Sequence, residues 1–214
     1  MRIRQQANRF WWVVAMLTWL SFLILAMGVH FHASWIGDFD AWGQQLAIGV
    51  RQPSRTIFFK WFALLGTPSA NTIICLLISL ILWLRRHRFE AGWVLTAQVG
   101  INALMAIFKM IMQRPRPLGK LVAQAGYSFP SGHTTSTATM VLVILLIVIP
   151  LCHSASVRFL LGLISLFWLA MMGFDRIYLF VHYPSDVLAG LCLSLGWWSV
   201  LRLSFSHVLS KQRE

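Results

Sequence analysis

Uncharged apolar stretches of membrane-spanning length recur along this 214-residue chain and constrain its fold more than any other feature. A helix that crosses the hydrocarbon core of a bilayer needs about 20 mostly apolar residues. Within lipid, a helix satisfies its own backbone polar groups. We therefore predict an all-α fold, a polytopic membrane bundle of six transmembrane helices. The predicted spans are Phe10–Val29, Pro68–Leu84, Ala91–Phe108, Thr134–Pro150, Phe159–Phe174 and Val187–Leu201.

The composition supports a membrane protein and argues against a nucleic-acid partner. Only 11% of the residues are charged and 58% are hydrophobic, whereas ordinary soluble domains are about a quarter charged. The net charge of +12 is scattered between apolar segments, so no basic face is available for a duplex. We expect the partners to be membrane lipids and an anionic substrate, and we identify no obligate protein partner.

Two segments between the first spans are predicted to lie at the membrane interface. In "SWIGDFDAWGQQL", Trp35, Phe39, Trp42 and Leu46 recur at helical spacing, which is typical of an interfacial helix. A loop packed on the bundle is the alternative. The stretch Ile57–Leu65 also lies at the interface, and Pro68 should kink or restart the helix that follows.

Six spans place both termini on one side of the membrane, and the basic residues decide which side. Ten Lys and Arg residues fall on the side of the termini and eight on the other. The "RRHR" cluster at Arg85–Arg88 favours the cytoplasm for the side with the termini. The first span follows Arg9 and is longer than the core of a signal peptide, about 7–15 residues, so we predict that it is retained.

This topology brings the polar ends of spans three to six to the outer face. Ionisable residues at membrane depth are candidates for a functional site. The residues concerned are Lys109, Arg114, Arg116, Ser131, Gly132, His133, Asp175, Arg176, His182 and Asp186.

"VHYPSD" pairs a histidine with a carboxylate at the start of the sixth span. Pro184 is suited to the first turn of a helix, which places His182 just before the helix and Asp186 in its first turn. Asp186 can then bind one imidazole nitrogen and leave the other free as a nucleophile. A helix cap beside an uninvolved histidine is the alternative interpretation.

"FPSGH" and the nearby cations indicate an anion site. Ser131 is a natural N-cap, Gly132 permits close approach of a ligand, and the free N–H groups of a helix start attract anions. Lys109, Arg116 and Arg176 add positive charge suited to phosphate. An ordinary capped helix and Lys or Arg side chains reaching to headgroups are the alternatives, and we assign Arg114 and Lys120 to the latter group.

Three segments resemble the signature motifs of the type 2 phosphatidic acid phosphatase superfamily: "KMIMQRPRP", "FPSGH" and "DRIYLFVHYPSD". The resemblance implies that His182 is the nucleophile that becomes phosphorylated, that Asp186 orients it and that His133 protonates the leaving oxygen. It implies phosphate binding by Lys109, Arg116, Ser131, Gly132 and Arg176. The third motif usually opens with Ser, but here it opens with Asp175. We expect Asp175 to pair with Lys109, Arg114 or Arg116, or to turn into the bundle.

The resemblance implies a lipid phosphatase in a bacterial inner membrane, with its active site on the extracytoplasmic face. We expect one domain over residues 1–214, with the first span and outer loop in residues 1–56 and the catalytic core in residues 57–205. Undecaprenyl diphosphate and phosphatidylglycerophosphate are the leading substrates, and phosphatidic acid is possible. We expect no metal ion and no cofactor, because the sequence has no metal-ligand motif. The alternatives are a lipid phosphotransferase with the same site and a non-catalytic lipid transporter or binder.

Overall fold

The computed structural model describes the backbone of residues 2–211 and the side chains of residues 8–205. The helix Gly132–Val143 continues into a π-helical segment, Ile144–Val148, and a 3₁₀ turn, Ile149–Leu151. Residues 2–211 contain no β-strand, which confirms the predicted all-α fold. The helices are α1 (Arg2–His30), α2 (Ser34–Gly49), α3 (Pro53–Leu65), α4 (Pro68–Leu84), α5 (Arg88–Met112), α6 (Gly132–Val143), α7 (Ala155–Tyr178) and α8 (Pro184–Lys211).

Five of these helices, α1, α5, α6, α7 and α8, are long and apolar enough to cross a membrane. The pair α3 and α4 forms a sixth candidate span, bent by 46° at the break between them. Pro68 begins α4, and the hydroxyl of Thr67 caps this helix by accepting the N–H of Ala70. The predicted interruption at Pro68 is therefore confirmed. The candidate spans reach the six predicted when α3 and α4 are counted as one bent span, whereas α4 alone was predicted to cross.

Helix α6 occupies the centre of the bundle, where α4, α5, α7 and α8 surround it. Nearly all its residues are buried, although many of them are Thr or Ser. Their hydroxyl groups accept hydrogen bonds from neighbouring helices: Asn71 Nδ2 lies 2.8 Å from Thr137 Oγ1, and Gln98 Nε2 lies 2.6 Å from Ser136 Oγ. Such interhelical hydrogen bonds hold α6 at a defined height within the apolar bundle.

Two glycines let helices approach closely beside the site. A Cβ atom at Gly190 of α8 would lie 2.7 Å from Thr135 Oγ1 of α6. A Cβ atom at Gly43 of α2 would lie 2.5 Å from Pro184 Cγ, at the start of α8. Any larger residue at these positions would push the helices apart, so both glycines set the position of the first turn of α8.

Helices α1 and α8 run antiparallel along each other. Trp11, near the start of α1, lies under the guanidinium of Arg202, near the end of α8, at 5.9 Å. At the opposite end of the bundle, the chain leaves α1 and enters α2, which contacts Ser185 at the start of α8. The described ends of the chain therefore share one end of the bundle, and the first turn of α8 lies at the other.

Helix α2 confirms the predicted helix between the first two spans. Three members of its predicted apolar stripe, Trp35, Trp42 and Leu46, are exposed. Its opposite face is buried against α7 and α8. This arrangement suits a helix at the membrane interface, with its aromatic side chains directed away from the bundle.

Candidate active site

The three sequence motifs converge at the end of the bundle where α8 begins. Ser131 N–H, at the start of α6, donates to the backbone oxygen of Asp186 in α8 at 3.0 Å. Arg116, which follows α5, donates through Nη1 to the backbone oxygen of Val181 at 2.7 Å. The charges of Lys109, Arg116, Arg176 and His182 all act on His133. The predicted site residues, distant in sequence, are therefore neighbours in space.

His182 lies in the tight turn between α7 and α8. The turn requires a left-handed residue, Phe180, with φ of 55°. The N–H groups of Val181 and His182 both donate to the backbone oxygen of Arg176, at 3.2 and 3.3 Å. Pro184 then starts α8. These local constraints fix the backbone of His182, whose residue surface is only 2% exposed.

The two imidazole nitrogens of His182 face different partners. Nδ1 lies 3.4 Å from Asp186 Oδ2, and Nε2 lies 3.1 Å from Arg116 Nη1. Burial lowers the pKa of His182 to about 4, although Asp186 acts in the opposite direction. The imidazole is therefore neutral at neutral pH. With its proton on Nδ1 towards Asp186, it presents a lone pair at Nε2.

The carboxylate of Asp186 is held at both oxygens. Oδ1 accepts a hydrogen bond from Arg114 Nη1 at 2.7 Å, and Oδ2 accepts the N–H of Tyr183 at 2.9 Å. The residue is fully buried. Its orientation towards His182 is therefore fixed by a cation on one side and by the first turn of its own helix on the other.

Our assignment of Arg114 to the headgroup region is wrong. Its guanidinium lies between two buried carboxylates, 2.7 Å from Asp186 Oδ1 and 2.6 Å from Asp40 Oδ2, with the ring of Tyr183 at 4.0 Å. Burial acts to lower the pKa of Arg114, but the neighbouring carboxylates of Asp186 and Asp40 raise it overall. Two buried carboxylates need a nearby cation, which accounts for the position of Arg114. Lys120, in contrast, is exposed, as predicted.

Sequence analysis also missed Asp40, on the buried face of α2. Its Oδ1 accepts the N–H of Ser185 at 2.8 Å, and its Oδ2 accepts the hydroxyl of Ser185 at 2.9 Å and the guanidinium of Arg114. One signal was present in the sequence: Asp40 follows Ile36 and precedes Gly43 and Ala47 at helical spacing, on the face opposite the aromatic stripe. A lone acid among apolar and small residues on a buried face indicates a specific partner.

Backbone oxygens of the loop after α5 hold two of the predicted phosphate-binding cations. Lys109 Nζ donates to the oxygen of Tyr127 at 2.6 Å and more weakly to that of Ser128 at 3.3 Å. Arg116 donates through Nε to Gly126 at 2.9 Å and through Nη2 to Ala125 at 3.0 Å. Carbonyl oxygens orient these side chains without neutralising their charge, so both remain cations for an anionic ligand.

Of the two alternatives for Asp175, burial within the bundle is confirmed, and pairing with Lys109, Arg114 or Arg116 is not found. The residue is fully buried, as one alternative proposed, but it pairs with its neighbour Arg176 and not with Lys109, Arg114 or Arg116. Both Nε and Nη2 of Arg176 donate to Asp175 Oδ2. Asp175 Oδ1 has no hydrogen-bond partner in the part of the chain that is described. The adjacent Arg176 is therefore the cation that balances this buried acid.

The start of α6 matches the predicted N-cap. Ser131 Oγ accepts the N–H of Thr134 at 3.4 Å, and Gly132 is the first helical residue. A Cβ atom at Gly132 would make only ordinary contacts, at 3.5 Å or more. Packing alone therefore does not require this glycine, and close approach of a ligand remains the prediction for it. His133 is buried beside these residues, at 7% exposure.

A model of the PAP2 superfamily matches residues 90–208, more than half of the chain and all three motifs. The chain belongs to the PAP2 superfamily. Phosphatidylglycerophosphatase B of Bacillus subtilis (strain 168) is 29% identical to it over 183 residues, which are 82% of this chain and 87% of the relative. This PAP2 chain is therefore a membrane lipid phosphatase, a hydrolase of phosphoric esters, as the motifs predicted.

Two solved structures share the PAP2 fold of this chain. One is a transmembrane PAP2-type phosphatidylglycerolphosphate phosphatase from Bacillus subtilis, with a TM-score of 0.79 and 25% identity, covering 90% of this chain and 96% of that one. The other is LpxE from Aquifex aeolicus, with a TM-score of 0.58 and 23% identity, covering 75% of this chain and 92% of that one. The second similarity supports the fold alone.

Proposed function

We propose that this enzyme cleaves a phosphate mono- or diphosphate ester of a membrane lipid through a phosphohistidine at His182, without a metal ion. The main support is the arrangement around the imidazole. Nδ1 faces Asp186, and Nε2 faces Arg116 at 3.1 Å. A phosphoryl group can take the place of Nε2 as the hydrogen-bond partner of the Arg116 guanidinium. Its phosphorus atom would then lie beside the lone pair of Nε2.

In the first step, Nε2 of His182 attacks phosphorus, the N–P bond forms and the bond from phosphorus to the leaving oxygen breaks. His133 donates a proton to the leaving oxygen, and Asp186 keeps the other proton of His182 on Nδ1. In the second step, His133 takes a proton from water. The resulting hydroxide attacks phosphorus, and cleavage of the N–P bond regenerates His182 and releases inorganic phosphate.

Negative charge that develops on the phosphoryl oxygens is stabilised by fixed cations and dipoles. Lys109, Arg116 and Arg176 are proposed to bind these oxygens, together with Ser131 and with N–H groups of the first turn of α6 from Gly132 onward. The N–H of Ser131 itself is not one of these donors, because it donates to the backbone oxygen of Asp186. Among the described residues, no three His, Cys, Asp or Glu side chains are placed to share a metal ion. The side chains and N–H groups of the protein itself are proposed to stabilise this charge.

The position of the site at one end of the bundle suits a substrate whose tail stays in the bilayer. The exposed Trp35 and Trp42 of α2 would lie at the level of the headgroups and can guide the lipid to the site. Phosphatidylglycerophosphate is the substrate named for the similar Bacillus subtilis protein, and undecaprenyl diphosphate is the second candidate. We place the site on the extracytoplasmic face of a bacterial cell membrane, with both termini in the cytoplasm.

Phosphate release from purified protein in detergent tests this function. The substrates are phosphatidylglycerophosphate, undecaprenyl diphosphate and phosphatidic acid. His182→Ala should abolish turnover, whereas His153→Ala, at an exposed histidine in the loop before α7, should retain it. Acid-labile, alkali-stable label on wild-type protein after quenching with ³²P-labelled substrate would support the intermediate.

Two outcomes would reject parts of this proposal. Turnover by the His182→Ala variant would exclude His182 as the nucleophile. Transfer of label to an acceptor lipid, with no release of inorganic phosphate, would identify a phosphotransferase that uses the same site.

A further inference from the structure

We propose that Asp40 is a positioning residue for the His182–Asp186 pair and that it acts through Arg114. The inference rests on the proposed phosphohistidine mechanism and assigns a role in it to helix α2. Asp40 lies outside the three motifs and outside the region matched by the family model, residues 90–208.

A continuous chain of charged contacts links Asp40 to the nucleophile. Asp40 Oδ2 binds Arg114 Nη2 at 2.6 Å, Arg114 Nη1 binds Asp186 Oδ1 at 2.7 Å, and Asp186 Oδ2 faces His182 Nδ1 at 3.4 Å. Both carboxylates are buried, and the side chain of Arg114 is only 14% exposed. In such surroundings these interactions are poorly screened by solvent.

The balance of charge in this chain gives Asp40 an electrostatic role. Asp40 and Asp186 carry two negative charges against the single positive charge of Arg114. One negative charge is therefore left to stabilise the imidazole as it becomes positive during attack on phosphorus. Without the charge of Asp40, Arg114 would neutralise Asp186, and this stabilisation would be weakened.

Asp40 also has a structural contact, which any test must separate from its electrostatic role. Its oxygens accept the N–H and the hydroxyl of Ser185 in the first turn of α8. Asp40→Asn removes the charge and keeps one oxygen that can accept the N–H of Ser185. This substitution therefore preserves the cap on α8, while it removes one of the two negative charges that face Arg114.

The pH dependence distinguishes the two roles. The groups that face His182 are Asp186 of α8, Lys109 of α5, Arg116 of the loop between α5 and α6, and His133 of α6. The charge of Arg176, in α7, acts on His133. All of these remain in the Asp40→Asn variant. Loss of the Asp40 charge disfavours protonation of His182, so the acid limb of kcat/KM should move to lower pH. A purely structural role predicts no such movement.

The experiment compares Asp40→Asn with Asp38→Asn, a substitution of an exposed acid on the same helix, in phosphate release from phosphatidylglycerophosphate. We expect Asp40→Asn to lower kcat by about tenfold, equivalent to about one pKa unit of interaction. KM should change by less than about twofold, and the acid limb should move to lower pH. The Asp38→Asn variant should match wild type.

Arg114→Met gives a second test, because Asp40→Asn should have no further effect on kcat in that background. A wild-type kcat for Asp40→Asn would overturn the inference. If the acid limb of the kcat/KM profile does not move, the inference is also overturned, even if kcat is reduced. Asp40 would then act only as a cap on the first turn of α8. Both results leave the proposed function standing if His182→Ala is inactive. Turnover by His182→Ala would instead reject the nucleophile itself.

Discussion

Asp175 is the residue at which this chain departs from the usual third motif, and its replacement by Ser tests how Arg176 is used. Asp175 accepts both Nε and Nη2 of Arg176 through a single oxygen. A phosphoryl group that binds Arg176 must compete with this carboxylate. We therefore expect Asp175→Ser to keep or raise activity, to tighten the binding of inorganic phosphate and to destabilise the protein in the absence of phosphate.

The size of the destabilisation follows from the burial of the pair. The side chains of Arg176 and Asp175 are 1% and 0% exposed, and removing one partner of a buried ion pair costs about 3–5 kcal/mol. The substitution also removes the unpartnered Oδ1 of Asp175, which relieves about 1 kcal/mol or more. The net loss is about 2–4 kcal/mol, or a decrease of about 4–16 °C in thermal midpoint.

The gain in phosphate affinity follows from the two freed N–H groups of Arg176. A hydrogen bond to a charged group contributes about 1.5–3 kcal/mol, which corresponds to about ten- to a hundredfold in affinity. Inorganic phosphate should therefore inhibit the variant at a concentration at least about tenfold lower than the wild type. Phosphate should also raise the thermal midpoint of the variant more than that of the wild type.

Inhibition constants for phosphate and thermal midpoints with and without phosphate provide the assay. Asp38→Ser, at an exposed acid on α2, is the matched control and should change neither quantity. A folded Asp175→Ser protein with kcat reduced more than about tenfold would give Asp175 a role in the reaction. An unchanged inhibition constant would show that Asp175 does not compete with phosphate for Arg176.

Three further predictions concern the metal, pH and helix packing. Phosphate release should survive EDTA, and loss of activity with recovery on addition of Mg²⁺ would reject the mechanism. Burial lowers the pKa of His182 to about 4, below about 6.5 in an unfolded chain. The unfolded state therefore binds more protons in this range, and stability should fall as pH decreases from about 6.5 towards 4. Thermal midpoints of His182→Gln should fall less steeply, and parallel curves would contradict this account. In Gly43→Val, the added Cβ atom would lie only 2.5 Å from Pro184, so the side chain should displace the start of α8. This variant should therefore lower kcat at least as much as Asp40→Asn. Gly49→Val, where a Cβ atom meets nothing within 4 Å, should not.

The elements of the bundle were predictable because their signals are local. Each apolar run corresponds to a helix. Pro68 restarts the helix where an interruption was predicted, and Pro184 begins the helix for which it was proposed as a first-turn residue. The convergence of the motifs followed from counting spans, since each crossing reverses the direction of the chain. The bundle therefore brings Lys109, His133 and His182 together at one end, as predicted.

Side-chain partners were less predictable because they depend on packing between distant segments. Arg114 is 74 positions from Asp40 and 72 from Asp186. Their contact requires α2 to lie against the start of α8, which the close approach of Gly43 and Pro184 makes possible. Nothing local to Arg114 distinguishes it from Arg116, two positions away in the same motif. For this reason the sequence alone did not separate a cation held by carboxylates from one held by carbonyl oxygens.

The difference between cations held by carboxylates and cations held by carbonyl oxygens explains which members of the cluster can bind a phosphoryl group. Arg114 is bound by two carboxylates, which more than balance its charge, so it is not available to bind a phosphoryl group. Lys109 and Arg116 are oriented mainly by backbone oxygens, which carry no net charge. They therefore keep the attraction for an anion that a carboxylate partner would cancel. Arg176, paired with a single carboxylate, lies between these extremes. Substitution of Asp175 should therefore change the contribution of Arg176 to phosphate binding more than it changes the contribution of Lys109 or Arg116.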